Sequence, residues 1–589
     1  MSDATKEQAW FELSQFRKRV MDSQAWIPLH AVESAEESGQ YGHVGYRKDF
    51  FGCGTVALPV EHREAMHKVG WSDLGIGRTY RGYSEDGIYV PADEFRPWNL
   101  EGVIGHFFVM LQNRSDQNDR DWIVSPDLLL TLGLYQEGDV WVCPAEGYVE
   151  VIKIHRNAKG EKNKLEIRAE FLKDYLAARG WGMWMTWYRE RSETQADVSH
   201  FTWPELKASE LGDHIRWEGR VIELHEGGHF FGSEAAVFHV TRTDVDLDED
   251  IPQIEVPTTE AGTASRTMTR KFDGKKVFHV IGELWREEWI SPAPRSLRVL
   301  DDEPENKPTF VLDASGTRKD KAGLSDEGRW LWFKPEVVKA LLGYRAGTLS
   351  WHTRRTGGVG ADLAGEVYFG INDLGLVNVY AKDIGMLPYW QQQIWAGFNV
   401  GPDGKVSAEL LKAQAVGKPA DTQAPEAYLA RELDRLDRVI LSEFGVKAFR
   451  THHDTARIID KCHRFRATSP DGLLELAKDL ARLTADAIDA SAIHPKLNLQ
   501  KGEKPGGLKC LEKLVELKGG KEAARKITAP LFGTYDLRLA DAHLPKSDLE
   551  QALKNAGVES NKPTVIQGEQ MLHHVVASLA TIADVLKGD

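Results

Sequence analysis

The sequence predicts an α+β multidomain protein, with a β-rich, tryptophan-rich N-terminal region and a C-terminal all-α helical bundle. Three observations predict it. All 18 tryptophans lie at or before Trp395. Short Val/Ile/Trp/Phe runs punctuated by glycine dominate the first two thirds, whereas leucines recur at three- and four-residue steps after residue 425. Charge divides at the same place: from Pro425 onward 25 Lys and Arg face 24 Asp and Glu, and the rest carries 49 against 65. A chain of 589 residues exceeds one ordinary core, and the expected segments are an α+β lobe over 1–200, a β-rich segment over 201–300, a second α+β lobe over 301–411, a linker over 412–425 and the bundle over 426–589.

Strands are expected at 139–143, 149–154, 236–240 and 376–380, where β-branched and aromatic residues cluster. Two charged or Gly/Thr-rich stretches, near 244–275 and 301–328, read as long exposed loops or linkers. Residues 412–425 are small and polar with two prolines, the composition of a linker. Beyond it Leu429, Leu433, Leu436 and Ile440, then Leu473, Leu476, Leu480, Leu483 and Ile488, predict helices, with others over 507–518, 534–543 and 564–586. Trp122 to Gly138 also aligns with Leu331 to Gly347: proline, an acidic residue, an apolar run, Tyr and Gly recur in one register 209 residues apart. Duplicated lobes are one reading; two helices with ordinary Pro and Gly ends are the other.

A net charge of −15 argues against a generic nucleic-acid coat. The cysteines, Cys53, Cys143, Cys462 and Cys510, show no paired spacing and fit reduced thiols. No apolar run reaches membrane-spanning length and no signal-peptide core begins the chain, so a cytoplasmic protein without a membrane partner is expected.

Several motifs carry less chemistry than they suggest. His225-Glu226-Gly227-Gly228-His229 fits H-E-x-x-H, which binds zinc only on a helix. Adjacent glycines cost a helix about 2 kcal/mol relative to alanine, and the alternating run Ile215–Leu224 predicts a strand, turning at Gly-Gly and returning through 236–240 as a hairpin. His452-His453 with Cys462-His463 has zinc-ligand types without a familiar spacing. Beside it Lys461, Arg464 and Arg466 form a basic patch suited to an RNA backbone, or the cluster is an ordinary solvated helix end. Trp181 to Tyr188 suits a buried aromatic strand or a base-stacking surface. Gly357-Gly358-Val359-Gly360 lacks the Lys-Ser/Thr of a phosphate-binding loop, and the acidic run 244–250 lacks the glycine and terminal glutamate of a calcium loop.

The strongest candidate is Arg538-Leu539-Ala540-Asp541-Ala542-His543, in a helical run stopped by Pro545. A guanidinium can hold a phosphate while an imidazole moves a proton. Five residues along a helix turn about 140° beyond a full circle, so the two side chains do not share a face. The last helical turn favours the imidazolium form of His543.

This arrangement resembles the R-x4–6-H motif of the HEPN superfamily: all-helical domains, many of them metal-independent endoribonucleases that dimerise to complete the site. The resemblance covers about 425–589. It implies that Arg538 stabilises the transition-state phosphate and His543 acts as acid and base, while the RNA 2′-OH attacks the adjacent phosphorus without metal or cofactor. Asp541 and Asp536 are candidate supporting residues, and Lys461, Arg464 and Arg466 candidate RNA contacts. The residue after the arginine, often Asn, Asp or His in active members, is Leu539. The resemblance also implies a homodimer through the bundle and an N-terminal region that detects a trigger or restrains the nuclease, as in bacterial phage defence or toxin–antitoxin systems. The alternative is a non-catalytic dimeric scaffold.

Overall fold

The computed structural model describes residues 8–588, apart from 75–81, 98–99, 114–119, 227–232, 241–257, 261–262, 272–274, 363–364, 451–453 and 544–545; side-chain surroundings are also undescribed for 113, 120, 233–240, 258–260, 263–271, 540–543 and 546–547. The architecture is α+β: antiparallel sheets through the N-terminal two thirds, helices from Leu429 to Lys587. The chain forms two compact units, one of Met1–Cys143 with Glu150–Pro304, the other of Pro144–Val149 with Glu305–Asp589.

The first unit is built on one large antiparallel sheet. Ten of its twelve strands form one path: β1 (Trp26–Ser38), β2 (Arg47–Pro59), β3 (Tyr135–Glu137), β4 (Val140–Cys143), β5 (Val149–Arg156), β6 (Lys162–Arg168), β7 (Trp181–Gln195), β8 (Lys207–Gly212), β9 (Ile215–His225) and β10 (Lys276–Ile290). They lie in the order β8-β9-β10-β7-β2-β1-β6-β5-β4-β3. Met183 to Trp187 of β7 are buried without a break, the signature of a strand covered on both faces. On one face Trp184 joins Val56 and Leu58 of β2 in a core with Met66, Val69, Leu74, Phe95 and Phe107. The other expected strands also form, and the Trp181–Tyr188 run is a buried aromatic strand, with Trp184 and Trp187 each 1% exposed.

The strands expected to pair across Gly227-Gly228, which lie outside the described residues, do not pair with each other. β9 pairs with β8 and β10, whereas Ser233–Val240 pairs with Thr263–Lys271 in a separate three-stranded sheet. Local alternation set β9 as a strand, but the partner was chosen by β10, whose fifteen residues offer a longer ladder.

The second unit begins with a six-stranded antiparallel sheet: β11 (Trp330–Phe333), β12 (Thr348–Trp351), β13 (Thr356–Gly360), β14 (Val367–Ile371), β15 (Val377–Tyr380) and β16 (Asn399–Val400), in the order β12-β13-β14-β15-β11-β16. Gly357 and Gly358 serve the ladder, not a phosphate: an added Cβ would lie 2.2 Å from the Ser350 carbonyl at the first and from Glu366 Oε2 at the second. The aligned segments fold alike locally. Arg120–Val124, Pro126–Thr131 and Tyr135–Glu137 are strand, helix and strand, as are Trp330–Phe333, Glu336–Leu341 and Thr348–Trp351.

Residues 301–328 are not a plain loop. Phe310-Val311 pairs with Arg318-Lys319, a helix follows at Lys321–Ser325, and Phe310, Leu312 and Leu324 are buried. Nor is 412–425 an unstructured tether. A helix spans Ala408–Val416, Ala424 is buried, and Thr422 donates to Glu409 at 2.9 Å. Charged residues in the first segment and small polar ones in the second leave no sustained apolar period, so neither announces its packing.

The bundle contains α1 (Leu429–Phe444), α2 (Thr455–Lys461), α3 (Pro470–Leu483), α4 (Gly507–Gly519), α5 (Lys521–His543), α6 (Lys546–Asn555) and α7 (Thr564–Lys587), with shorter turns between. Its core runs from Leu429, Leu436 and Ile440 through Leu476, Leu480 and Leu514 to Leu537, Leu572 and Leu579. Gly445, with φ 68°, ends α1 in the left-handed conformation that glycine adopts without strain. α5 starts thirteen residues before the expected 534, through an internal proline, Pro530. Among the described residues no helix is long and apolar enough to cross a membrane.

Candidate functional site in the helical bundle

α5 is held by its apolar stripe: Ala524, Leu531 and Leu537 are buried. Gly533 allows a close crossing, since an added Cβ would lie 2.3 Å from the Ala556 amide nitrogen just beyond α6. Packing on both neighbours carries the helix through Pro530, which removes one backbone donor. Arg538, next to buried Leu537, is consequently turned to the surface. Its Nη1 donates to Asp486 Oδ2, in the turn after α3. The guanidinium also stands 5.7 Å from the Tyr535 ring centroid.

Asp536 is half-buried, and burial pushes its carboxyl above the ordinary aspartate range. It has no side-chain hydrogen bond to Arg538. Leu539 is 49% exposed, so the residue after the arginine contributes no polar group at this surface. His543 ends α5; its side chain and that of Asp541 lie outside the described residues. The helix therefore brings Arg538, Asp536 and the His543 backbone to one end, and adds Asp486, which has no local sequence signal.

The basic patch separates into three environments. Lys461, the last residue of α2, is exposed. Arg466 pairs with Glu475 at 2.9 Å and approaches Asp479 at 3.7 Å. Arg464 is fully buried and is not available to an RNA backbone. Its Nε and Nη2 donate to the two oxygens of Glu426 at 2.7 and 2.8 Å, and Nη1 lies 3.2 Å from Glu569. Its guanidinium covers the Trp351 ring at 4.3 Å, and that ring stacks on Phe465. Burial works to raise the Glu426 carboxyl, but the Arg464 charge and hydrogen bonds outweigh it and hold it low. Arg354 also bonds Glu569, which is completely buried. These groups join β12 and the turn after it to α7, so Arg464 acts inside the fold. The glutamates lie 38 and 105 residues from Arg464 in sequence, which is why a local basic run concealed a buried cluster.

His225 ends strand β9 rather than occupying a helix, and Gly227 to His229 lie outside the described residues. The same holds for His452 and His453, whereas Cys462 is buried and the His463 ring is largely buried. Among the described residues no group of three or more His, Cys, Asp or Glu is placed to hold a metal ion. Comparisons with protein-family models, curated proteins and solved structures find no match to this chain.

Proposed function

We propose that the helical bundle is a HEPN-type, metal-independent endoribonuclease of the cytoplasm. In this reading Arg538 binds the scissile phosphate and His543 transfers protons while the RNA 2′-OH attacks phosphorus. The observation that carries it is the surface position of Arg538 on the helix that ends at His543: a cation turned outward beside a core, not one consumed by it. A second chain, joined through the bundle, supplies the other half of a two-chain site. Asp536 and Asp541 support the pair, and Lys461 and Arg466 offer flanking charge to RNA. The N-terminal region gates the reaction in answer to a trigger, the economy of a bacterial phage-defence or toxin–antitoxin nuclease.

The reading is tested by incubating RNA with the full chain in EDTA and comparing wild type with His543→Ala. Cleavage that survives the chelator and is lost in the variant supports it. The second reading, a dimeric scaffold without activity, draws on the Arg538–Asp486 pair, which gives the arginine a structural partner. It predicts no cleavage by either protein and an unchanged dimer.

A further inference from the structure

A cleft of about 450 Å³ opens in the N-terminal unit between Gly70–Ser72, the turn Leu211–Arg216 and Trp285–Glu287 of β10. The volume suits a small ligand. One side is aromatic: Trp71 stacks on Tyr188 with centroids 5.8 Å apart, and Tyr188 lies 5.4 Å from Trp285. Nearby, the rings of His67 and His214 stack at 4.7 Å, each edge-on to Trp184. Arg216 covers Trp285 at 3.9 Å.

Glu287 supplies the specific feature. Among the described residues its side chain makes no hydrogen bond or ion pair, although it is half-buried. Burial pushes its carboxyl up, against the opposing pull of His67 and Arg216. Its cross-strand neighbour Thr186 is completely buried with a hydroxyl that also has no hydrogen-bond partner. Glu287 lines the cleft whereas Thr186 lies beneath it, so the carboxylate's acceptor oxygens are left to a ligand that enters the cleft.

A carboxylate only accepts hydrogen bonds, so its complement is a group with two adjacent donors. Aromatic and imidazole faces select a planar ring, and Arg216 adds a cation suited to phosphate. An ammonium ligand fits less well, because Arg216 already occupies the Trp285 face as its cation. Guanine presents N1–H and the N2 amino group side by side. Adenine and uracil set an acceptor beside a donor, and cytosine offers one donor group.

We propose that this cleft binds a guanine nucleotide, with Glu287 accepting from N1–H and N2–H, Trp71 and His214 against the base, and Arg216 beside the phosphate. The site stands apart from the reaction assigned to the bundle, since binding is read without RNA.

The test titrates the full chain with GMP by calorimetry and tryptophan fluorescence, with AMP, CMP, guanosine and tetramethylammonium as comparators. Expected are saturable GMP binding at least tenfold tighter than AMP or CMP, a loss of tenfold or more in Glu287→Ala and Glu287→Gln with melting temperature unchanged, and a larger loss for GMP than for guanosine in Arg216→Ala. No GMP binding, equal binding of AMP, or GMP binding unchanged in both Glu287 variants would overturn it. So would tetramethylammonium binding that depends on Glu287, which would reassign the cleft to cations.

Discussion

Arg538 and Asp486 are bonded across 52 residues of sequence, joining the end of α5 to the turn after α3. Their side chains are 31% and 39% exposed, so the pair is a surface ion pair that solvent weakens. A phosphate approaching Arg538 competes with Asp486 for the same guanidinium.

Asp486→Asn should therefore tighten RNA binding. An exposed pair contributes at most about 1 kcal/mol, so the expected fall in KM is no more than about fivefold, with little change in kcat. A kcat that collapses instead would show that Asp486 holds Arg538 in its working position.

Arg464 should prove structural. Arg464→Ala leaves Glu426 and Glu569 buried without their shared cation, and breaking such a pair costs about 3–5 kcal/mol. Urea unfolding followed by circular dichroism measures it. A loss under about 1 kcal/mol would contradict the buried cluster.

Acid should weaken the fold through His463. Burial lowers its imidazole to about 4 from 6.5, with Glu426 opposing and Arg466 and Arg464 assisting. The folded ring stays neutral while the unfolded one takes up a proton below 6.5, so stability falls as pH drops from 6.5 towards 4 and is level above. His463→Phe should flatten that slope by one proton, about 1.4 kcal/mol per pH unit. His30 and His279, also lowered to about 4 mainly by burial, add to the same window in the other unit. An unchanged slope in the variant would contradict the neutral buried ring.

Gly533→Ala should destabilise the bundle although alanine favours helices. The new Cβ would sit 2.3 Å from the Ala556 amide, and overpacking of this kind costs about 1–3 kcal/mol. Thermal melting tests this, and a higher melting temperature would mean that α5 and its neighbour do not cross so closely.

The bundle was legible because Leu429, Leu436, Leu476 and Leu480 repeat at helical spacing and are buried together. The strands were legible where Val, Ile and Trp cluster, as in β7. What stayed hidden depends on distant partners. The helix expected to begin at 534 runs on through Pro530 and Gly533, which packing against Ala556 accommodates. Arg464 reads as basic surface until Glu426 and Glu569 close around it. Likewise β9 shows its own alternation but not its choice of β10. At the candidate site Arg538 was visible in a motif, whereas Asp486 reaches it only through the fold.

RNA cleavage in EDTA is the most direct test of metal-independent chemistry at Arg538 and His543, using the purified 589-residue chain and its His543→Ala variant at equal dimer content. Attack by the 2′-OH predicts fragments with 2′,3′-cyclic phosphate ends from the wild type, no cutting of the matching DNA, and a fall of at least a hundredfold in the variant. Cleavage that persists unchanged in His543→Ala, or stops in the wild type when metal is chelated, would contradict it.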